Sequence, residues 1–200
     1  IGNSGEDVYI LNTHLHPMST PIRLSQLLEI YDWRIKNPSL KLIVNGDFNS
    51  DPNSIEIRFI RDVMGLQDSY LSLKGSYPDN YCTYCTDNPR SFAKKNHIFD
   101  YIFYSSVSAN FPNTKLYPIY YERNLTGSEK WSYSDHYGVL ARFYLENMVP
   151  GQETKIPLQD SNVIIKTLEE VETILSNEHK SMYNQDIAYV ENLKKTLTKE

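Results

Sequence analysis

Apolar and polar positions in the first 150 residues form two kinds of pattern. Short continuous apolar runs, typical of buried strands, occur at 8–11, 40–44, 101–104 and 138–144. Between the first two runs, apolar positions recur with the 3.6-residue period of a helix over 21–36. A second helical pattern covers 54–64, with Gly65 as its C-cap. This order of elements predicts an α/β fold with helices packed on sheets.

The end of the chain carries a different pattern. Beyond Val149-Pro150-Gly151, apolar positions separated by three or four residues run from 164 to 175 and from 183 to 197. They predict two amphipathic helices joined near 176–180, or one long kinked helix, docked on the domain or on a partner. We therefore divide the chain into a main domain at 1–148, a linker at 149–157 and a helical extension at 158–200.

Composition excludes several protein classes. With 40% hydrophobic and 22% charged residues, the chain is neither disordered nor membrane-spanning, and no window approaches the ~18 consecutive apolar residues of a membrane helix. The net charge of −5 argues against binding nucleic acid through bulk positive charge, although a local basic groove stays open. Sixteen tyrosines suit a wet groove, an interface or strands.

Two short-range signals carry little weight by themselves. Residue 1 is Ile and no signal peptide is visible, so we expect a cut precursor or a piece of a larger protein, and the compartment stays open. Cys82 and Cys85 are too few for a disulfide scaffold. As a lone C-x-x-C they are a weak redox or metal signal, and we expect them to be structural or merely tolerated.

Polar clusters stand at the ends of all four predicted strands. Two of them follow a strand, Asn12-Thr13-His14-Leu15-His16-Pro17 and the segment 45–52, Asn45-Gly46-Asp47-Phe48-Asn49-Ser50-Asp51-Pro52. The other two precede a strand: Asp100 and Ser134-Asp135-His136. Strand ends and their loops form the rim where ligands bind in layered sheet proteins, so the four clusters predict a hydrolytic site.

Residue types suggest the chemistry of this site. Carboxylate and amide oxygens suit a hard cation such as Mg²⁺, so Asp47 and Asn49 could hold a metal, an attacking water or a phosphoryl oxygen. Histidine removes a proton from water near neutral pH when a carboxylate orients its second nitrogen. Neighbours in extended backbone point to opposite sides, so we expect Asp135 to be a metal ligand and Asp100 to orient His136.

His14 of the first cluster is assigned to the phosphate. His14 would stabilise or protonate phosphate oxygens. The chain has no nucleophile elbow, Walker loop or H-E-x-x-H helix. This favours direct attack by water over a covalent intermediate.

The four clusters in this order resemble the endonuclease/exonuclease/phosphatase superfamily and, within it, the Mg²⁺-dependent neutral sphingomyelinases. The resemblance covers roughly residues 6–145. The sphingomyelinase branch is favoured by the Asn-Thr-His-Leu-His form of the first motif. It is also favoured by Gly65-Leu66-Gln67-Asp68-Ser69-Tyr70 and by the threonine- and cysteine-bearing loop at 81–89.

This resemblance implies a four-layer α/β/β/α sandwich, of which the chain holds the C-terminal portion. It implies hydrolysis of sphingomyelin to ceramide and phosphocholine, with Mg²⁺, or Mn²⁺, as cofactor. His136 is then the general base, oriented by Asp100. Asp47 and Asn49 bind metal and substrate phosphate, His14 assists at the phosphate, and Asp135 lies by the metal.

The resemblance also implies partners. The family's N-terminal half, which supplies a Mg²⁺-binding Glu and an Asn, has no counterpart before residue 8, so we expect it on the same or a separate chain. The other partner is a sphingolipid or phospholipid at a membrane surface, with no nucleic acid and no transmembrane segment. We expect the connection 105–133 to touch that surface through Tyr120, Tyr121 or Trp131.

Two alternatives stay open. One is a nuclease or a phosphoinositide phosphatase on the same scaffold, because one fold hosts many substrates. The other is a catalytically inactive binding module that retains the scaffold. The intact set of polar residues argues against inactivity: His14, Asp47, Asn49, Asp100, Asp135 and His136.

Overall fold

The computed structural model is an α/β structure, as the strand and helix pattern predicts, and it describes residues 7–38, 40–106, 114–124, 127–128, 130–147, 160–178 and 180–198. The strands are β1 (Val8–His14), β2 (Lys41–Asp47), β3 (Gln67–Asp68), β4 (Asp100–Tyr104), β5 (Thr114–Asn124), β6 (Gly127–Ser128), β7 (Trp131–Ser132) and β8 (Gly138–Asn147). The α-helices are α1 (Thr20–Lys36), α2 (Ile55–Arg58), α3 (Ser69–Lys74), α4 (Ser161–Asn177) and α5 (Asn184–Leu197).

A four-stranded sheet in the order β1-β2-β4-β3 positions the polar clusters. β1 and β2 are parallel and remain paired to their last residues, His14 opposite Asp47. β4 is antiparallel to β2, which sets Asp100 opposite Asp47 on the other side. Strand pairing therefore carries both strands three residues beyond the apolar runs and makes the first polar residues part of the sheet.

One face of this sheet is buried beneath helices. Leu42 and Val44 of β2 and Phe103 of β4 point to this face, where they join Leu24 of α1 and Ile57 of α2 in one hydrophobic core. Residues alternate between the faces of a strand, so Asp47 and Asp100 lie on the opposite face. The core therefore covers one face of the sheet, and Asp47 and Asp100 lie on the other face.

The predicted helix at 54–64 is only partly α-helical. Ser54 caps its start by accepting a hydrogen bond from the Ile57 N–H, and the α-helix ends at Arg58. Residues Phe59–Val63 continue as a π-helical turn, and Gly65 follows with φ +66°.

The C-terminal helices pack on the main domain. Leu168 and Val171 of α4 and Val190 of α5 are completely buried in the same core as the sheet residues. The Arg58 guanidinium lies 2.5 Å from the Glu170 carboxylate and ties α4 to α2. The two predicted helices are therefore separate, with a short 3₁₀ turn at Lys180–Met182 between them. The predicted linker at 149–157 lies outside the described residues.

A second, two-stranded sheet is formed by β5 and β8. It replaces much of the connection that we expected over 105–133, because Thr114–Asn124 pairs with Gly138–Asn147 around a bulge between Pro118 and Tyr120. The sheet reaches the four-stranded one through Tyr104 and Phe143, whose ring centroids are 5.4 Å apart.

Tyr121, one of the three aromatic residues that we expected at a membrane surface, packs against other tyrosines instead. Its ring packs edge-on against Tyr70 at 5.2 Å, and Tyr77 and Tyr81 complete a cluster in which Tyr70 is buried and the other three rings are partly buried. Burial raises the pKa of Tyr121 far above its usual range. Tyr120 and Trp131 do lie at the surface. Among the described residues, no helix has the length and apolar character needed to cross a bilayer.

Candidate active site

The ends of β1 and β2 approach each other closely at the candidate site. Gly46 adopts a φ of +141°, and a Cβ atom there would lie 1.8 Å from the Thr13 carbonyl oxygen. Only glycine fits such a position without moving the backbone. The Leu15 N–H donates to the Asp47 carbonyl at 2.9 Å, and the Phe48 N–H donates to the Phe99 carbonyl at 2.7 Å. Asp47 is therefore held from both neighbouring strands.

A tight turn after β2 fixes Asp47 and Asn49 together. The Asn49 N–H donates to Asp47 Oδ1 at 2.8 Å, and Asn49 has a left-handed φ of +50°, which asparagine tolerates better than most residues. The Asn49 side-chain amide donates to the Leu15 carbonyl at 2.8 Å. One amide proton of Asn49 is thus used to join the ends of β1 and β2.

His136 and Asp100 form a hydrogen-bonded pair beside this turn. His136 Nδ1 lies 2.7 Å from Asp100 Oδ2. An ionised carboxylate only accepts hydrogen bonds, so Nδ1 carries the proton and the neutral ring keeps a lone pair on Nε2. That Nε2 lies 3.9 Å from Asp47 Oδ2, and His14 Nε2 lies 3.4 Å from the same oxygen. The sheet thus brings together four of the residues that sequence reasoning selected.

The local charges tune two of these groups. Burial alone would lower the pKa of His136, but the hydrogen bond and charge of Asp100, with the charges of Asp47 and Asp135, outweigh it and raise the pKa. Burial also raises the pKa of Asp47, and the charge of Asp100 adds to this, against the hydrogen bond from the Asn49 N–H. Perturbed titrating groups gathered at one sheet edge are typical of an active site.

The donor atoms present fit a divalent cation. Asp47, Asp100 and His136 each bring one potential ligand atom within 4.8 Å of the others. Two carboxylates and an imidazole form a donor set that such cations accept. Asp100 and His136 form a hydrogen bond with each other, so Asp47 is the carboxylate of this cluster that remains available for a metal ion.

Two polar residues of the predicted clusters lie apart from this cluster. Asp135 contributes charge to His136 but is not one of the three clustered ligand residues. Its metal-binding role stays a prediction. His16 shapes the loop after β1, since its Nδ1 accepts hydrogen bonds from the Met18 and Ser19 N–H groups.

The sequence reasoning assigned no role to the residues that hold His136 and Asp100 in place. Thr83 is completely buried, and its Oγ1 accepts from the N–H groups of Phe99 and Asp100 at 2.9 and 3.0 Å. Its carbonyl accepts from the Tyr137 N–H at 2.7 Å. The buried Asn88 donates to the Ser134 carbonyl at 3.1 Å. The threonine- and cysteine-bearing loop was noted as a motif, but its contacts lie 16 to 54 positions away and leave no local pattern.

A second histidine–carboxylate pair lies nearby. His97 Nδ1 is 2.8 Å from Asp51 Oδ2, and Asp51 Oδ1 accepts from the Ile98 N–H at 3.1 Å. The His97 ring stacks on Phe99 with centroids 4.6 Å apart. The sequence reasoning did not single out this pair.

The family is shown by a sequence comparison. The model of the endonuclease/exonuclease/phosphatase family matches residues 3–136, which is more than half of the chain and includes every candidate site residue. The chain belongs to this family. Enzymes of the family are divalent-metal-dependent hydrolases that act on phosphate esters. No curated protein sequence matches this chain with significance.

Solved structures share the fold at low sequence identity. TDP2 from D. rerio, complexed with a single-strand DNA product, matches with a TM-score of 0.54 and 20% identity over 70% of this chain and 58% of that one. An endonuclease/exonuclease/phosphatase from Bacteroides vulgatus matches with a TM-score of 0.53 and 23% identity, over 72% of this chain and 51% of that one. The human nocturnin catalytic domain with bound sulfate matches with a TM-score of 0.50 and 22% identity, over 72% of this chain and 49% of that one.

These structural matches establish the fold and no particular substrate. The chain spans about half the length of the solved structures that it matches. The α/β sandwich and the superfamily are therefore confirmed, and the narrower sphingomyelinase assignment rests on the sequence motifs.

Proposed function

We propose that this chain carries the catalytic base of a divalent-metal-dependent phosphodiesterase that hydrolyses sphingomyelin to ceramide and phosphocholine. The observation that carries hydrolysis is the His136–Asp100 pair, whose Nε2 faces the Asp47 carboxylate at 3.9 Å. The motif at 12–16 and the loop at 81–89 support the substrate, as they resemble the sphingomyelinase branch.

Each side chain has a defined task in this proposal, and Asn49 has two. His136 Nε2 takes a proton from water while Asp100 holds Nδ1–H, and the water oxygen attacks phosphorus. The bond between phosphorus and the ceramide oxygen breaks, that oxygen takes up a proton from solvent water, and His136 returns its own proton to solvent. His14 and Asn49 contact the phosphate oxygens. A bound Mg²⁺ or Mn²⁺, held by Asp47, Asn49 and Asp135, would supply positive charge at those oxygens.

Exposed aromatic residues beside the site support a membrane substrate. Trp131 is 52% and Tyr133 72% exposed, and their rings meet edge-on with centroids 4.2 Å apart. Tyr133 immediately precedes Ser134-Asp135-His136 in the chain, and Trp131 lies two residues before Tyr133. Trp and Tyr favour the lipid–water interface, where the ring and its polar atom are both satisfied.

The uncovered part of the four-stranded sheet supports a further partner, the N-terminal half of the same fold. On the face that carries Asp47, Ile10 of β1 is 71% exposed. On the same face, the buried Asn45 Oδ1 has no hydrogen-bond partner among the described residues. An edge strand and an apolar face of this kind need cover. We expect activity when residues 1–200 are combined with this N-terminal half, on the same or a separate chain, and we expect residues 1–200 alone to be inactive.

The deciding experiment is release of phosphocholine from sphingomyelin vesicles by the complete protein with Mg²⁺. We expect release that stops with EDTA and returns with Mg²⁺ or Mn²⁺. Parallel assays with plasmid DNA and with phosphoinositide vesicles test the two alternative substrates. Hydrolysis of either in preference to sphingomyelin would contradict the substrate, and no hydrolysis of any of them would favour an inactive module.

Membrane docking is tested by replacing Trp131 and Tyr133 with alanine. We expect weaker hydrolysis of vesicle sphingomyelin and unchanged hydrolysis of a water-soluble phosphocholine ester. Tyr144→Ala is the matched control, because Tyr144 is 53% exposed on β8 but outside the loop that leads to His136. Equal losses on both substrates would show that the pair supports folding instead.

A further inference from the structure

The loop between α3 and β4 contains a buried disulfide. Cys82 and Cys85 are joined, and their side chains are 2% and 0% exposed. The bond closes a short ring of backbone that includes Thr83 and Tyr84. These two residues touch both members of the His136–Asp100 pair, so the disulfide borders the site without belonging to it.

Thr83 connects the ring to the backbone of both partners. Its hydroxyl oxygen accepts from the Asp100 N–H, and its carbonyl accepts from the N–H of Tyr137, the residue after His136. Its own N–H, together with that of Tyr84, donates to the His97 carbonyl at 2.8 and 3.0 Å. A shift of Thr83 would therefore move Asp100 and His136 relative to each other.

Tyr84 connects the same ring to the imidazole itself. Its ring centroid lies 4.9 Å from that of His136, and its ring also stacks on Phe99 at 5.8 Å and lies 6.5 Å from the His97 ring. The backbone of Tyr84 forms an antiparallel bridge with His97. The position of Tyr84 thus limits the rotation of the His136 ring.

Arg123 of β5 lies against the sulfur atoms. Its Nη1 donates to the Cys82 carbonyl at 2.8 Å and is 3.5 Å from the Sγ atoms of both cysteines. A neighbouring guanidinium favours the thiolate form of cysteine, which is the form that attacks disulfides. Arg123 would therefore help the reduced cysteines to form the disulfide again, which a reversible redox site requires.

We infer that the Cys82–Cys85 disulfide is a redox-sensitive site that positions the His136–Asp100 pair. The inference rests on the proposed function, in which that pair activates water. Both cysteines are buried, so a dithiol reaches the bond only when the loop opens locally. One thiolate of the dithiol attacks one cysteine sulfur, which gives a mixed disulfide and releases the other cysteine. The second thiolate of the dithiol then attacks the mixed disulfide and releases the first cysteine. Two electrons and two protons pass to Cys82 and Cys85, and the dithiol becomes a disulfide. Without the covalent bond, Thr83 and Tyr84 hold the pair less firmly.

The activity test compares the oxidised and reduced complete protein in excess Mg²⁺. After dithiothreitol treatment that yields two titratable thiols, we expect kcat to fall at least about tenfold, because small misplacements of a catalytic group are costly. KM should change little, since His14 and Asn49 make their contacts with Asp47 and Leu15. Oxidised glutathione should restore kcat. An unchanged kcat in the fully reduced protein would overturn the inference.

A double variant, Cys82→Ala with Cys85→Ala, is the matched control for metal chelation by dithiothreitol. It should resemble the reduced protein and show no response to the dithiol. If the double variant had the kcat of the oxidised wild type, the inference would be overturned. If the variant fails to fold, the recovery of kcat when the reduced wild type is reoxidised still tests the inference.

Hydrogen exchange gives a measurement that does not depend on activity. Reduction should speed exchange at the Asp100 and Tyr137 amides, which donate to Thr83, and should leave the Ile57 amide of α2 unchanged. Equal exchange in both redox states would overturn the inference. If the oxidised protein hydrolyses no phosphate ester, the proposed function fails while the exchange result still decides the positioning role of the disulfide.

Discussion

Among the described residues, two histidine–carboxylate hydrogen bonds have nearly the same geometry and different surroundings. In both, Nδ1 of the ring meets a carboxylate Oδ2, at 2.7 Å for His136–Asp100 and 2.8 Å for His97–Asp51. The first pair presents Nε2 to Asp47 at the sheet edge, and nearby carboxylates raise the pKa of His136. In the second pair, the other oxygen of Asp51 accepts from the Ile98 N–H and the ring stacks on Phe99.

This difference shows that a histidine–carboxylate hydrogen bond does not by itself identify a base. The His97–Asp51 pair joins the turn after β2 to the chain entering β4, which is a structural task. The His136–Asp100 pair lies where the second ring nitrogen can meet a substrate. In the proposed mechanism, the Nε2 that faces Asp47 gives His136 the catalytic role, whereas the contacts of His97 give it a structural one.

Removal of each imidazole should give the largest contrast. His136→Ala should lower turnover by the ~10²–10⁴ that general-base catalysis contributes, with little effect on folding. His97→Ala is the matched variant, and it should lower the free energy of unfolding more than it lowers turnover. The reason is that the His97 ring stacks on Phe99 and hydrogen-bonds to Asp51, which also accepts from the Ile98 N–H. Comparable losses of turnover in the two variants would contradict the assignment of a catalytic role to His136 and a structural role to His97.

The pH dependence of kcat/KM should sharpen the contrast. A base acts in its neutral form, and Asp100 raises the pKa of His136 above the ordinary 6.5. Activity should therefore fall as the pH drops through this raised value, so that the acid limb lies above pH 6.5. Asp100→Asn removes the charge and should move the limb to lower pH, whereas Asp51→Asn should leave it in place. A limb unmoved by Asp100→Asn would assign it to another group.

The fold was predictable where local pattern determines structure. Period and apolar runs located β1, α1, β2 and both C-terminal helices, because each buries a continuous face. The strand β5 was missed, since its tyrosine-rich sequence with Pro118 resembles an interfacial loop until β8 pairs with it. The sequence therefore revealed the elements that have a local pattern and left β5 and its pairing with β8 undetermined.

The candidate site was predictable only in its side chains. Asp47, Asp100 and His136 stand at the ends of predicted strands. Because strand ends form the rim of a layered sheet protein, the sequence predicted that these side chains lie close together. Thr83 could not be assigned a role, because it acts through backbone groups far along the chain. His97 and Asp51 are 46 residues apart and pair only once β2 and β4 are neighbours.

The most direct test of the account is the effect of Asp100→Asn and Asp51→Asn on turnover and on the free energy of unfolding, measured side by side. We predict that Asp100→Asn loses most of the turnover, because the amide no longer holds Nδ1–H as a carboxylate does. Asp51→Asn should keep its turnover and lose about 0.5–1.5 kcal/mol of stability through weakened hydrogen bonds. Loss of turnover in Asp51→Asn, or normal turnover in Asp100→Asn, would contradict the assignment of His136 as the base.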